Sequence, residues 1–293
     1  MQFFVLLLLI LVFIVDVCGV ALGIKQDYKL LRSFEHDAHS FTQGLIYRNG
    51  YLYESGGLYR QSSLRKVDAQ TGKVLTSTPL PNRFFAEGIA VVGDVLYMLT
   101  WREQTMMIFD LNTMTIVDQQ SYRTHNGQGW GLTYDGENLI ASDGSHFLTT
   151  FELPKIRDNN NKPLGNGPLV ALGQPQLKKV RQVSVTRGGK PVKMVNELEY
   201  VDGYIYANIW YKDEIIKIDP VSGVVVQTID LRSLWPKEMR NKEADCLNGI
   251  AYNRSEDSFI LTGKLWPKYY KVAFPRGQTI SEAATKGKYT ELK

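Results

Sequence analysis

One segment pattern occurs five times along the chain, at residues 42–57, 86–101, 129–144, 196–210 and 247–264. Each copy has a short alternating apolar strand, a turn rich in Gly, Asn or Asp, and a second strand, which is typical of a β-hairpin. If Gly44, Gly88, Gly131, Leu198 and Gly249 mark equivalent positions, the first two spacings are 44 and 43 residues. About 44 residues is the length of one propeller blade. The chain is therefore predicted to be an all-β, five-bladed β-propeller.

Further strands complete four-stranded antiparallel blades. Third strands and turns follow several hairpins, at residues 64–75, 106–117 and 215–226, and residues 28–37 predict a strand that pairs with the last repeat and closes the ring. A polar segment rich in Pro, Gly and Asn at 156–176 lengthens the third spacing to 67 residues, and residues 237–244 predict a short helical turn. A β-sandwich is the alternative, but the regular spacing favours the propeller.

The N-terminus has the pattern of a targeting segment. Residues 3–15 are a run of 13 apolar residues, followed by small residues at 18–23. This run is short for a membrane span of about 20 residues. Residues 1–23 therefore predict a signal peptide cleaved after Ala21 or Gly23, although an uncleaved anchor is the alternative because no Lys or Arg precedes the run. Residues 24–293 are predicted to be a single propeller domain, secreted or in the periplasm or secretory pathway.

Charge and cysteine content exclude several functions and structural features. The 34 Lys and Arg against 30 Asp and Glu give a formal charge of +4 without a long basic run, so nucleic-acid binding is not indicated. Once Cys18 leaves with the signal, Cys246 remains alone, which excludes an internal disulfide and a cysteine zinc site. His36 and His39 have no further His nearby, so a surface turn is favoured over a metal site. No pattern indicates assembly, and we expect a monomer.

Equivalent positions in a radial repeat lie at equal height around one axis, so they can be compared as rings. The residues before the anchors are Gln43, Glu87, Trp130, Glu197 and Asn248. The fifth positions after the start of each second strand are Gly57, Trp101, Gly144, Trp210 and Lys264. Any one Trp could pack between blades, and Lys264 could be solvated. Because polar groups and three Trp would converge together, the rings predict a small-ligand pocket.

Several long motifs then resemble one enzyme family. The sequences FTQG at 41–44, FFAEG at 84–88, GQGWGLTYDG at 127–136, NELEY at 196–200 and LTGKLWPKYYKV at 261–272 are similar to those of the plant and bacterial glutaminyl-peptide cyclotransferases. The resemblance runs from about residue 28 to 274. It implies a five-bladed propeller that converts the N-terminal glutamine of peptides and secreted proteins to pyroglutamate, releasing ammonia. It implies neither a cofactor nor a catalytic metal.

The resemblance also implies residue roles. Glu87 matches the family's essential carboxylate and is expected to act first as general base and then as general acid. Lys264 is the expected oxyanion stabiliser, and one of Asn196 and Glu197 is expected to receive the α-ammonium or the peptide backbone. The other expected substrate-binding residues are Phe41, Gln43, Phe85, Trp101, Trp130, Trp210 and Asn248.

Two other functions remain open on the sequence. One is a propeller that binds a peptide without catalysis. The other is a metal-dependent, lactonase-like hydrolase in which Glu87, Glu197 and Asn248 are metal ligands. Calcium chelation would abolish the hydrolase and spare the cyclotransferase.

Overall fold

The computed structural model describes residues 27–154 and 176–275. The predicted signal peptide or anchor at 1–23, Cys18 within it, and nearly all of the polar segment at 156–176 lie outside the described residues. Across the two described ranges, no helix is both long and apolar enough to span a membrane.

The described chain is almost entirely β-structure, and it forms five four-stranded antiparallel sheets, as the repeats predict. In chain order, the strands are β1 (Lys29–Glu35), β2 (Thr42–Arg48), β3 (Tyr51–Gly56), β4 (Ser63–Asp68), β5 (Val74–Pro79), β6 (Ala86–Val92), β7 (Val95–Thr100), β8 (Thr105–Asp110), β9 (Thr115–Ser121), β10 (Leu132–Tyr134), β11 (Asn138–Ala141), β12 (Phe147–Glu152), β13 (Lys179–Ser184), β14 (Thr186–Arg187), β15 (Lys190–Pro191), β16 (Val195–Val201), β17 (Tyr204–Ile209), β18 (Glu214–Ile218), β19 (Val225–Asp230), β20 (Leu247–Asn253), β21 (Ser258–Gly263) and β22 (Lys268–Ala273).

Each blade begins at the propeller axis and runs outward. Strands β2–β5, β6–β9, β10–β13 and β16–β19 form the first four blades, and β20–β22 with β1 form the fifth. The pairing of β1 with β22 confirms the predicted ring closure, with Lys29 opposite Ala273 and Glu35 opposite Lys268. Between the third and fourth blades lies a hairpin, β14–β15, that the sequence did not predict. The helical turn expected at 237–244 is a single 3-10 turn, Lys237–Met239.

The hydrophobic core is divided into five clusters, each between two neighbouring blades. One cluster, for example, joins Tyr53 and Leu64 of the first blade to Ile89 and Leu96 of the second. Because side chains alternate between the two faces of a strand, each blade contributes to the clusters on both of its sides. Burial between blades thus holds the ring together in addition to the β1–β22 ladder.

The inner strands come into backbone contact around the axis. Gly88 N donates to Trp130 O at 2.6 Å. A Cβ atom on Gly88 would lie 2.4 Å from Leu132 N, and one on Gly131 would lie 2.1 Å from Asn196 O. Only glycine allows such an approach. The axis is therefore narrow at this level, and the side chains just before these glycines gather at one end of it.

Candidate active site

The first pair of site residues is aimed at the axis by irregularities in the inner strands. The β2–β3 register shifts between Thr42 and Gly44, and the β6–β7 register shifts between Ala86 and Ile89. Such bulges redirect side chains and are common beside active sites. They bring Gln43 and Glu87 together, with Gln43 Nε2 3.4 Å from Glu87 Oε1.

A cavity of about 210 Å³ opens above these two residues. Sites for drug-sized ligands have volumes of about 300–1,000 Å³, so this cavity suits a single amino-acid side chain with its backbone. It contains every predicted site residue except Glu197 and Asn248, together with Leu58, which the sequence did not indicate. The lining residues are Phe41, Gln43, Leu58, Phe85, Glu87, Trp101, Trp130, Asn196, Trp210 and Lys264.

Half of the residues that line the cavity are aromatic. The centroids of Phe85 and Trp101 lie 5.4 Å apart, and those of Trp130 and Trp210 lie 5.3 Å apart at 83°. The first pair is tilted and the second is edge-on, and such contacts favour one arrangement of the rings. The tryptophans therefore enclose the cavity as a shaped apolar surface.

Gln128 fixes two of these tryptophans and is a residue that the sequence reasoning missed. Its Oε1 accepts hydrogen bonds from Trp101 Nε1 at 2.7 Å and from Trp130 Nε1 at 3.0 Å. Gln128 precedes β10 in an irregular segment, so repeat comparison did not select it. Its place in the motif GQGWG was the available signal.

The cavity holds one carboxyl and one ammonium group, both nearly excluded from solvent. Glu87 and Lys264 are each 4% exposed. Burial raises the pKa of Glu87 well above its usual range, the Lys264 ammonium opposes this shift, and the Glu103 carboxylate adds to it. Lys264 Nζ lies 4.7 Å from the centroid of the Phe41 ring. The raised pKa favours the protonated form of the Glu87 carboxyl relative to an exposed glutamate.

One acceptor in the cavity lacks a partner. Gln43 Oε1 is buried and has no hydrogen bond with any residue of the described ranges. A buried polar atom of this kind costs free energy unless a ligand or water satisfies it. Gln43 therefore has an unused hydrogen-bond acceptor next to Glu87 at the cavity wall.

The strand register places Asn196, rather than Glu197, in the ring with Glu87. Val195 pairs with Ile209 as Ala86 pairs with Thr100, so Asn196 is equivalent to Glu87. Glu197 consequently occupies the position at which the other four inner strands have glycine. Our alignment of the fourth repeat was therefore shifted by one residue, because Leu198 was matched to glycines.

Glu197 lies below the cavity and crosses the axis. Its Oε1 accepts a hydrogen bond from Leu45 N at 3.3 Å, and its carboxyl also accepts from Ile250 N. Burial, followed by the nearby Glu199 carboxyl, raises the pKa of Glu197 well above its usual range. The side chain joins the inner strands of the first, fourth and fifth blades.

Asn248 also lies outside the cavity wall. Its Nδ2 donates to Thr42 O at 2.9 Å and to Gln43 O at 3.1 Å. These bonds fix the backbone from which the Gln43 side chain projects. Asn248 therefore stabilises the backbone of the site without lining the cavity.

His36 and His39 were expected to lie together in a surface turn, but only His39 is exposed. The His39 side chain is exposed, but that of His36 is 1% exposed and its Nε2 lies 3.0 Å from Glu54 Oε1. No three His, Cys, Asp or Glu side chains gather as a metal site within residues 27–154 and 176–275.

Comparisons with known proteins agree with the geometry. Residues 16–162 and 165–274 match the glutamine cyclotransferase family. The chain belongs to this family. It is 34% identical over 270 residues to a glutaminyl-peptide cyclotransferase of Arabidopsis thaliana, covering 91% of this chain and 75% of that protein. It is 32% identical to the crystallised Myxococcus xanthus glutaminyl cyclase, with a TM-score of 0.69 over 84% of this chain and 95% of that one.

The family motifs surround the cavity in this cyclotransferase. Gln43 and Glu87 come from the FTQG and FFAEG motifs, and Trp130, Asn196 and Lys264 come from the other three. Five segments that are far apart in the sequence thus each contribute residues to the cavity wall.

Proposed function

We infer that this protein is a glutaminyl-peptide cyclotransferase, which converts an N-terminal glutamine to pyroglutamate and releases ammonia. The observation that carries the inference is a cavity of one-residue size that presents a buried carboxyl, Glu87, beside an unpaired amide oxygen, Gln43 Oε1. Membership in the glutamine cyclotransferase family supports the same reaction.

The reaction needs a proton to move from one nitrogen to another. The α-amine of the substrate attacks the carbon of its own side-chain amide, a C–N bond closes the five-membered ring, and the original amide C–N bond breaks to release ammonia. The substrate brings its nucleophile and its electrophile together, so positioning costs little. An α-ammonium group has a pKa of about 8 and must first lose a proton.

We propose that Glu87 carries this proton. The nitrogen of the α-ammonium loses two protons on its way to the ring N–H. As a carboxylate, Glu87 would accept one of them, and as a carboxylic acid it would donate that proton to the departing nitrogen, while the other proton passes to solvent. Proton transfer is most efficient when the pKa of the catalytic group lies near the working pH. The burial that raises the pKa of Glu87 supports this role.

We assign the developing oxyanion to Lys264. A buried ammonium near the amide carbonyl would stabilise negative charge without reorganising solvent. The nearby Phe41 ring restrains its position. We assign Gln43 Oε1 to accept a hydrogen bond from the substrate amide nitrogen and Asn196 to contact the α-amine or the first peptide group.

The aromatic wall supports substrate selection. Trp101, Trp130 and Trp210 would enclose the flat amide and exclude water, which strengthens the electrostatic interactions in the site. An internal glutamine has no free α-amine and cannot react.

We propose that the protein acts as a monomer. We also propose that it acts outside the cytosol, because its N-terminus has an apolar run typical of a targeting segment. N-terminal sequencing of the natural protein would distinguish a cleaved signal from an anchor.

Ammonia release from a short peptide with N-terminal glutamine tests the reaction, with the α-acetylated peptide as control. We expect stoichiometric ammonia and pyroglutamyl product from the free peptide only, with activity retained after chelation of divalent cations. A folded protein that released no ammonia would refute the proposed function and favour a binding propeller. Loss of turnover on chelation, restored by calcium, would favour the metal-dependent hydrolase.

A further inference from the structure

The turns at the mouth of the cavity contain residues in unusual backbone conformations. Leu58, Tyr211 and Leu265 follow the three ring positions Gly57, Trp210 and Lys264, and they have φ angles of 83°, 61° and 60°. Residues other than glycine rarely adopt a positive φ, bulky residues least of all, and such backbone strain is concentrated at functional sites. Leu58 lines the cavity, and Leu265 N donates to Ser40 O at 2.8 Å. These contacts account for the positive φ of Leu58 and Leu265, whereas the positive φ of Tyr211 has no such explanation.

Tyr211 extends the aromatic wall outward. Its ring lies against the ring of Trp210, with centroids 4.8 Å apart and planes inclined by 32°. The residue is nevertheless 60% exposed. One face of its ring is therefore supported by a cavity tryptophan, and much of the remainder faces solvent.

The other aromatic residue at the mouth differs from Tyr211. Tyr59 donates its hydroxyl to Glu103 Oε1 at 2.7 Å, and its ring packs edge-on against Phe85. These contacts hold Tyr59 against Phe85, a residue of the cavity wall. Tyr211 instead offers an open ring surface at the point where a bound chain would leave the cavity.

Two surface grooves continue from Tyr211, with volumes of about 520 and 410 Å³, and Tyr211 lines both. Their charged groups are largely paired, since Arg240 lies 2.8 Å from Asp213 and Arg187 lies 2.8 Å from Glu214. Tyr211 is the one aromatic residue among the described residues that line them. The grooves therefore offer aromatic contact rather than an unbalanced charge.

We propose that Tyr211 forms a subsite for the side chain of the residue that follows the N-terminal glutamine, and that it favours an aromatic or large apolar residue there. This inference rests on the proposed function. The reacting glutamine must place both its amide and its α-amine in the cavity, so its carbonyl carbon points toward the mouth. One residue extends about 3.5 Å, which brings the next side chain to the rim.

The test compares two dipeptide amides, Gln-Phe-NH₂ and Gln-Gly-NH₂, by kcat/KM. Tyr211→Gly removes the ring and also suits the positive φ, so it adds no backbone strain. Asn49→Gly is the matched control, because Asn49 has a φ of 50° in an exposed turn at the opposite end of the first blade. Tyr211→Phe keeps the ring without its hydroxyl.

We expect the wild-type protein to prefer Gln-Phe-NH₂ by about tenfold, the range of one aromatic contact with its buried area. Tyr211→Gly should remove this preference and leave turnover of Gln-Gly-NH₂ within about twofold, whereas Tyr211→Phe and Asn49→Gly should behave as wild type. Equal wild-type rates for the two peptides, or an equal loss for both in Tyr211→Gly, would overturn the subsite and leave the cyclisation intact. Failure to release ammonia from either peptide would overturn the proposed function and the subsite with it.

Discussion

Glu54→Gln should destabilise the protein by about 3 kcal/mol, because Glu54 anchors the closure of the ring. Glu54 lies on β3 of the first blade and is 1% exposed. Its Oε1 accepts from His36 Nε2 at 3.0 Å, Ser40 Oγ at 2.7 Å and Thr42 Oγ1 at 2.5 Å, and its Oε2 accepts from Tyr269 OH of β22 at 3.1 Å. The carboxylate thus ties the first blade to the last.

The magnitude follows from the charge state of this cluster. His36 Nδ1 lies 2.5 Å from the Trp266 carbonyl oxygen, and Nε2 lies 3.0 Å from the Glu54 carboxylate, so each ring nitrogen faces an acceptor. Burial alone would raise the pKa of Glu54, but His36 and the hydroxyl donors lower it from 4.5 to about 2. A decrease of that size corresponds to about 3 kcal/mol. Removing one partner of a buried pair costs about 3–5 kcal/mol, which agrees.

Urea unfolding of the wild type, Glu54→Gln and the exposed control Glu137→Gln measures this effect. Because the pKa of Glu54 is depressed in the folded state, its contribution is complete above pH 4.5 and is lost as the pH falls toward 2. The difference between Glu54→Gln and wild type should therefore shrink on acidification. A loss below about 1 kcal/mol at neutral pH, or a loss independent of pH, would refute the reasoning.

Four further substitutions test other parts of the structure. Because the pKa of Glu197 is raised in the folded state, the wild type should lose stability as the pH rises above 4.5, and Glu197→Gln should be more stable relative to wild type at alkaline than at acidic pH in urea titrations. Gly88→Ala should prevent correct folding, since its Cβ would lie 2.4 Å from the next inner strand, whereas Gly93→Ala, at a φ of 58° with open space, should lower stability by about 1 kcal/mol in the same assay. Gln128→Leu leaves two indole N–H groups without their acceptor and should lower kcat/KM for a glutaminyl peptide about tenfold, with a circular dichroism spectrum like that of wild type.

The repeat period alone predicts most of the fold. Spacings of 44 and 43 residues predict a blade length, and residues 28–37, which resemble a strand outside any repeat, predict the closing strand. The hairpin β14–β15 was missed because its two strands have two residues each, too few to show a period. Local pattern predicts long, repeated elements well, and short additions are decided by tertiary contacts.

Most residues that line the cavity could also be predicted from the sequence, but the residues that hold them in place could not. Glu87 stood out as a carboxyl between apolar neighbours, and ring comparison found its companions. The one-residue shift at Glu197 arose because a glutamate replaces the glycine that marks the other four repeats. His36 was expected at the surface because its partner, Glu54, is 18 residues away and no local pattern links them. Such pairings depend on which blades become neighbours.

The central claim is that Glu87 transfers the proton between the two nitrogens. The most direct measurement is ammonia release from a peptide with N-terminal glutamine by wild type, Glu87→Gln and the exposed control Glu137→Gln, after their circular dichroism spectra and unfolding midpoints have been compared. Loss of general acid–base catalysis predicts that kcat falls by about 10²- to 10⁴-fold in Glu87→Gln, with peptide binding retained, and stays unchanged in the control. A folded Glu87→Gln protein with wild-type turnover would contradict the account.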